Sequence, residues 1–393
     1  MPRKSNTRAA QGSGTIRQRK DGRWEARYTV GRDPGTGKQV QRSVYGATQQ
    51  EVRKKLGQLT TEIDTGTYKE PCKMKVGEWL DIWTAEYLND VKPRTLESYT
   101  AQVENHIKPA LGAVKLEALT TPAIQRFYNR LSKGKDGKAG LSPKTVKNIH
   151  GILHEALQQA CKVGYIRTNP ADSCTLPRAE KKEIKPLDSD EIAAFLKAIQ
   201  GHQFETVYMV TLFTGLRRGE VLGLTWDAVD FGNGTLLVNK QLQKIPGERA
   251  AFRLVTTKNS KGRTITAAPS IFAALKKYRA KQTEWRLKAG DRWEDSNFVF
   301  TNELGHHLSP HTVYHNYKRI VASIGLPNAR FHDLRHSYAV AALKEGDDVK
   351  TVQQNLGHHS AAFTLDTYAH ATAEMKRESA ARMEKFIKQV SNS

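Results

Sequence analysis

The spacing of apolar residues changes twice along the chain, and this change limits the folds that it can adopt. Between residues 14 and 45, three short runs suit β-strands and are separated by turns rich in Gly and Asp. From Val76 onward, apolar residues recur every three or four positions, which is typical of helices. Strand-like runs reappear only after residue 234, between further helical stretches. The pattern therefore predicts a multidomain α+β protein with three differently built modules.

The first module is predicted to be a three-stranded sheet packed on one helix. The strands are expected at 14–17, 23–30 and 38–45, and the helix at 48–64, where apolar residues have helical spacing. On the middle strand, Trp24, Ala26 and Tyr28 would face the helix. The opposite face would be polar and basic, with these residues on the second and third strands: Arg23, Arg27, Thr29, Gln39 and Gln41.

The second module is predicted to be all helical, and the third to be mainly helical with one small antiparallel sheet. Helices of the second module are expected from Val76 and at 92–107, 120–131 and 141–161, before an aperiodic linker at 172–186 that holds the main boundary. In the third module, a helix capped at 188 and two helices through 207–224 precede strands at 235–239, 252–256, 263–267 and 298–301, and the chain is helical from 309 onward. The predicted domains are 1–70, 73–177 and 184–370, followed by a helix within 371–393.

The charge balance identifies the class of partner. The chain carries 62 Lys and Arg against 40 Asp and Glu, a formal charge of +22, and the first 70 residues hold 15 of these bases against 7 acids. Such an excess favours a polyanion as the partner. No apolar stretch is long enough to span a membrane, and the N-terminus lacks the apolar core of a secretory signal. We therefore expect a cytoplasmic, nucleoid-associated protein without a membrane partner. The 3 cysteines are too few for a disulfide scaffold or a zinc site.

Five short motifs in the third module carry residues that suit phosphate chemistry. They are Thr214-Gly215-Leu216-Arg217-Arg218-Gly219-Glu220, Thr257-Lys258-Asn259-Ser260-Lys261, His332-Asp333-Leu334-Arg335-His336, Leu356-Gly357-His358 and Thr367-Tyr368. Guanidinium groups bind the nonbridging oxygens of a phosphodiester in bidentate fashion and stabilise the charge of its transition state. His332 and Arg335 are three residues apart on a predicted helix, so both side chains can address the same phosphate.

In their order and spacing, these motifs resemble the signature of the tyrosine recombinases, or phage-type integrases. The N-terminal strands and the segment Gly164-Tyr165-Ile166-Arg167-Thr168-Asn169-Pro170 are similar to those of integrases from conjugative transposons. The resemblance implies an arm-site DNA-binding domain, a helical core-binding domain and a catalytic domain. It also implies a nucleophile, Tyr368, a general acid, Lys258, and four phosphate-binding residues: Arg217, His332, Arg335 and His358. Glu220 would orient Arg217. The spacing from His358 to Tyr368 is one residue longer than in many relatives.

The resemblance further implies double-stranded DNA with core and arm sites as the partner, and a homotetramer acting on it through a Holliday junction. An accessory excision factor and a DNA-bending protein are expected to assist. The reaction conserves bond energy in a 3′-phosphotyrosyl link, so no cofactor or metal is expected. Arg23, Arg27 and Gln41 are candidate arm-site contacts. The last helix, with Met383, Phe386, Ile387 and Val390 on one face, would dock on a neighbouring protomer, or pack within its own chain.

Two other functions fit parts of this pattern. A type IB topoisomerase-like enzyme would share the Arg, Lys, His and Tyr chemistry, but a separate arm domain argues against it. A non-catalytic DNA-binding regulator would have no use for the tyrosine. The doublets His306-His307 and His358-His359 could indicate a metal, but adjacent histidines are not spaced as a ligand set and no carboxylates or thiolates cluster beside them.

Overall fold

The computed structural model describes residues 14–66, 68, 73–134, 139–178, 185–245, 247, 251–256, 262–358, 360–362, 365, 380–381, 383–384 and 386–391. The chain divides into two compact units, Met1–Ala179 and Glu180–Ser393. Within the described ranges, no helix has both the length and the apolar character needed to cross a lipid bilayer.

The first unit begins with an antiparallel sheet of three strands: β1 (Thr15–Gln18), β2 (Trp24–Arg32) and β3 (Gln39–Gly46), in the order β1-β2-β3. Helix α1 (Gln49–Asp64) packs on one face of this sheet, where Ala26, Tyr28, Val52 and Leu56 are buried together. Thr48 begins α1 by accepting a hydrogen bond from the Glu51 N–H. The predicted inner face of the middle strand therefore agrees with the structure.

The rest of the first unit is helical. Its elements are α2 (Val76–Glu86), α3 (Pro93–Gln102), α4 (Lys108–Leu111), α5 (Thr121–Lys133) and α6 (Pro143–Lys162). The helix predicted to end at residue 107 continues through a π-helical turn, Val103–Ile107, into α4. In that turn the Lys108 N–H bonds to the Val103 carbonyl, and this wider turn accommodates Pro109, which has no N–H to donate. The buried Trp79 indole of α2 donates to the Ala156 carbonyl and so joins α2 to α6.

The second unit is built around a buried helix. Helices α7 (Ser189–Ile199), α8 (Glu205–Thr214) and α9 (Arg218–Leu222) come first, and α10 (Pro269–Ala289), α11 (Pro310–Ser323), α12 (Phe331–Lys344) and α13 (Val349–Leu356) follow the strands. Six of the ten residues of α8 are buried, and the helix packs against α10 and α12. Asp188 caps α7 through reciprocal bonds with Glu191, as its sequence predicted.

The strands of the second unit differ in part from the prediction. Strands β4 (Val229–Asp230), β5 (Thr235–Val238) and β8 (Arg263–Thr266) form one antiparallel sheet, while β6 (Lys240–Lys244) and β7 (Phe252–Thr256) form a second. The expected strand at 298–301 is wrong: its ends make only isolated bridges, Thr225 with Phe298 and Thr301 with His307. Val299 and Phe300 between them are fully buried, and this apolar run resembles a strand without forming a ladder.

The described residues between 380 and 391 are helical. Their apolar side chains lie in solvent, with Met383, Phe386, Ile387 and Val390 between 50% and 59% exposed.

Candidate active site

Arg217 follows the end of α8 and begins α9. Between them, Gly215 has a left-handed backbone with φ of 66°. A Cβ at this position would lie 2.5 Å from the ring of Tyr338, so only glycine allows the chain to turn there. The turn directs Arg217, whose side chain is 39% exposed, towards the end of α13, where its Nη2 donates to the Gly357 carbonyl at 3.3 Å.

Glu220 lies beneath Arg217 and is shared by two arginines. Its carboxylate is 2% exposed and accepts from Arg217 Nη1 at 2.7 Å and from the Arg217 backbone N–H at 2.9 Å. Arg263, at the start of β8, donates to both carboxylate oxygens, at 3.1 and 2.7 Å. Burial alone would raise the pKa of Glu220, but the hydrogen bond and charge of Arg263, with the charge of Arg217, lower it to about 2.

Arg335 lies on α12 and ties two separate segments together. The residue is 1% exposed, and its Nη1 donates to the Gly215 carbonyl while Nη2 donates to the Leu356 carbonyl. These are the segments that precede Arg217 and His358. These two hydrogen bonds hold the Arg335 guanidinium in one orientation.

Three histidines adjoin the two arginines. His332 and His336 are one helical turn apart on α12, with ring centroids 4.8 Å apart, and His358 follows the left-handed Gly357 at the end of α13. Burial, then the charges of Arg335 and Arg217, lower the pKa of His332 to about 4 and that of His358 to about 3. His332 is partly exposed to solvent, and His358 is half-buried. Both imidazoles are thus neutral at pH 7.

The described part of the structure brings together Arg217, Glu220, His332, Arg335 and His358 from α9, α12 and the end of α13. Lys258 lies between β7 and β8, and Tyr368 follows α13. Both fall outside the described residues, so their place in the site stays a prediction.

The histidine doublets show no metal-binding arrangement in the described ranges. His306 pairs with Glu294 at 3.0 Å, and His307 contacts the Leu308 carbonyl. The described residues contain no group of three or more His, Cys, Asp or Glu close enough together to hold a metal ion. His359 lies outside those residues.

The outer face of the N-terminal sheet carries a second cluster of basic residues. Its centre is Glu25, which is 2% exposed although it lies on the face away from α1. Hydrogen bonds from Arg17 at 2.8 Å and Ser43 at 2.8 Å lower the pKa of Glu25 to about 2, and Arg27 approaches it at 3.4 Å. One buried carboxylate therefore links side chains from all three strands.

The candidate DNA contacts are distributed over this face. Arg27 lies on β2 opposite Ser43, with its side chain 49% exposed, and Gln41 on β3 is exposed opposite Thr29. Arg23 is not part of the strand as predicted: it precedes β2 and pairs with Asp21 at 2.8 Å, because the tight turn Lys20-Asp21-Gly22 occupies the preceding positions. Arg27 and Gln41 both line a shallow depression of about 740 Å³ on this face.

Comparison with known proteins assigns the family. Residues 185–375 match the Phage integrase family, and residues 75–132 match its N-terminal SAM-like domain. A tyrosine recombinase XerC-like protein of Caldanaerobacter subterraneus is 30% identical over 367 residues, which cover 88% of this chain and 92% of that protein. The chain is a tyrosine recombinase of the phage integrase family. This recombinase is also 25% identical to the ICEBs1 integrase of Bacillus subtilis, over 95% of the chain and 100% of that protein.

Solved structures confirm the predicted fold of this recombinase. The Tn1549 transposon integrase, in complex with transposon right end DNA, matches with a TM-score of 0.66 at 22% identity, over 78% of this chain and 100% of that one. A lambda integrase tetramer bound to a Holliday junction matches with a TM-score of 0.56 at 20% identity, over 91% of this chain and 96% of that one.

Two residues of these clusters were missed by sequence reasoning. Arg263 is the first residue of a short strand, where a single arginine carries no signal of burial. Glu25 could have been found, because strand alternation puts it on the same face as Arg23 and Arg27. Its burial by the arginines around it could not be read from that alternation.

Proposed function

We propose that this recombinase integrates and excises a mobile DNA element at specific sites, by strand exchange through a 3′-phosphotyrosyl link on Tyr368. The observation that carries the proposal is the convergence of Arg217 and Arg335 with His332 and His358. Two fixed guanidiniums beside two imidazoles supply a set of hydrogen-bond donors suited to one phosphodiester. The integrase relatives support the assignment of the mobile-element role.

In this mechanism the arginines bind the scissile phosphate and compensate the charge that builds on its oxygens. Arg335 would donate from a fixed guanidinium, and Arg217 from one that Glu220 holds in place. Because burial and then the two cations lower the pKa of His332 and His358, each imidazole enters the reaction neutral and donates a single N–H. The anionic phosphate, once bound, would raise both pKa values again and strengthen these donors.

The remaining steps belong to Tyr368 and Lys258. The Tyr368 oxygen attacks phosphorus and gives its proton to water, the bond to the 5′ oxygen breaks, and Lys258 protonates that leaving oxygen. The 5′ hydroxyl of the partner strand then attacks the phosphotyrosine, and the phenol is released with its proton. The phosphodiester energy is kept in the covalent link, so the sequence of steps requires no nucleotide.

Covalent trapping tests this proposal. On a nicked duplex carrying the end sequence of the element that encodes the chain, cleavage would release a short 5′-hydroxyl fragment that diffuses away, leaving the protein on the 3′ end. We expect this adduct to accumulate and to survive denaturation, at the same rate with and without excess chelator. Cleavage without any protein adduct, or only in the presence of added divalent ions, would contradict the mechanism.

We also propose that four protomers act on paired sites, with an accessory excision factor and a DNA-bending protein, at the bacterial nucleoid. The lambda integrase tetramer supports the oligomer. The exposed side chains Met383, Phe386, Ile387 and Val390 offer an apolar face for a neighbouring protomer.

A chain ending at residue 370 should still bind one site but give smaller complexes on paired sites by light scattering. A tetramer of unchanged size would assign the helix to its own chain.

The outer face of the N-terminal sheet is proposed to read an arm site. A β-sheet can enter the major groove, where Arg27 and Gln41 would meet base edges and Arg23 would contact phosphate. The network around Glu25 supports this role, because it fixes Arg17 and Arg27 before DNA binds and so reduces the entropy that binding must overcome.

Arg27→Ala should therefore reduce sequence discrimination more than overall DNA affinity. Loss of one base contact is expected to cost about 1–3 kcal/mol at the cognate arm site only. Arg42→Ala is the matched control. Arg42 of β3 lies opposite Tyr28 of β2, so it carries the same charge as Arg27 on the other face of the sheet. Footprinting of the full chain, with competitor DNA at fixed salt, separates these outcomes. Equal loss on every sequence for both variants would indicate phosphate binding alone.

A further inference from the structure

Arg263 makes contact with two of the segments that form the active site and is joined by the chain to a third. Its Nη1 and Nη2 hold Glu220, which in turn holds Arg217. Its Nε donates to the Asn355 carbonyl at 2.8 Å, in the last turn of α13 before His358. Arg263 also begins β8, five residues after Lys258 in the sequence.

The approach of Arg263 to α13 is close. At Gly357, which has φ of 61°, a Cβ would lie 3.2 Å from both Cδ and Nη1 of Arg263. The guanidinium thus packs against the backbone that turns the chain towards His358. The Arg263 side chain is only 14% exposed, so it is placed to support this backbone rather than to touch DNA.

The charges around Glu220 give Arg263 a second task. One buried carboxylate serves two guanidiniums, so the cluster keeps a net positive charge. Without Arg263, both oxygens of Glu220 would be satisfied mainly by Arg217. Arg217 would then be drawn towards the carboxylate and away from the phosphate, because an unpaired buried carboxylate is costly.

We propose that Arg263 is a positioning residue of the recombinase: its bond to the Asn355 carbonyl holds it against α13, and from there it shares Glu220 so that Arg217 can bind phosphate. The inference rests on the proposed strand-cleavage function. It assigns to Arg263 a part in catalysis that involves no contact with the reacting atoms.

The test compares Arg263→Gln with Arg263→Lys in single-turnover cleavage of the nicked duplex and in DNA binding. Displacement of a phosphate-binding group by about 1 Å lowers rates about 100-fold, so we expect a loss of that size for Arg263→Gln. DNA affinity should stay within about threefold, since no phosphate contact is removed. Arg263→Lys keeps a cation for Glu220 and should recover part of the rate. Arg286→Gln is the control, because Arg286 forms an exposed pair with Asp295 in the same unit.

A double-mutant cycle with Glu220→Gln tests the route of the effect. If Arg263 acts through Glu220, the double variant should cleave no more slowly than the slower single variant. Losses that multiply would show that Arg263 acts independently of Glu220 and would overturn the proposal. Cleavage by Arg263→Gln at the parental rate would also overturn it, whereas a parent that forms no covalent adduct would instead remove the proposed function.

Removal of a partner of a buried carboxylate can also unfold the domain. If Arg263→Gln does not melt cooperatively near the parental temperature, Arg263→Lys decides the question. A folded lysine variant with a reduced cleavage rate and normal DNA affinity supports the proposal, because lysine cannot donate to Glu220 in bidentate fashion and to Asn355 as well. A folded lysine variant that cleaves at the parental rate contradicts it.

Discussion

Tyr368→Phe should abolish covalent attachment to DNA while leaving duplex binding nearly intact. Only the nucleophilic oxygen is removed, and loss of a nucleophile lowers the rate at least about 10⁴-fold. Phenylalanine keeps the ring and the size of the side chain, so no other group is lost. The measurement is the yield of protein–DNA adduct on the nicked duplex, with binding followed separately by mobility shift.

Tyr314→Phe is the matched control for this variant. Tyr314 lies on α11 with Arg218 placed 5.4 Å from its ring centroid, and that contact needs the ring but not the hydroxyl. It should form adduct at the parental rate. Equal adduct yields from Tyr368→Phe and the parent would require a different nucleophile, and protease mapping of the adduct would locate it.

Much of the fold follows from the spacing of apolar residues. The three N-terminal strands were predicted to within about two residues of their observed ends, because alternation and Gly-containing turns act together there. The exception in the second unit is instructive. Residues 298–301 contain buried Val299 and Phe300, and burial of consecutive residues is compatible with a strand or an irregular core segment.

The opposite error occurs at β6. Lys240–Lys244 has a single apolar residue, Leu242, and therefore gave no strand signal. Its pairing with β7 is decided by tertiary contacts, since α9 packs against it and Gly223 lies so close that a Cβ there would be 2.5 Å from the Leu242 nitrogen. The residues in this contact are far apart in the sequence, so the spacing of apolar residues cannot predict it.

For the candidate site, the sequence predicted several of the residues but not the contacts between them. Motif order identified Arg217, Arg335, His332 and His358, and the structure brings these residues together. Motif order could not reveal that two arginines share Glu220, because Arg263 is 43 residues from Glu220 in the sequence. The low pKa of both histidines likewise depends on their burial and on the two cations beside them in space, and the sequence shows neither.

Arg335→Lys is expected to lower cleavage about 100- to 1,000-fold, the usual cost of removing one transition-state donor. Lysine keeps the positive charge but has a single ammonium group. It cannot donate to Gly215 and Leu356 as the guanidinium does and also present a planar pair of N–H groups to phosphate. DNA affinity should change far less, because the charge of the domain is the same.

The matched control is Arg319→Lys, an exposed arginine on α11 in the same unit. Thermal melting should accompany both variants, because Arg335 is 1% exposed and its loss leaves two carbonyls without their donor. A fall in cleavage at a temperature where Arg335→Lys is fully folded assigns the loss to phosphate binding. If the folded variant cleaves as fast as Arg319→Lys, Arg335 serves only to join α8 to α13, and Arg217 with the histidines must carry the phosphate.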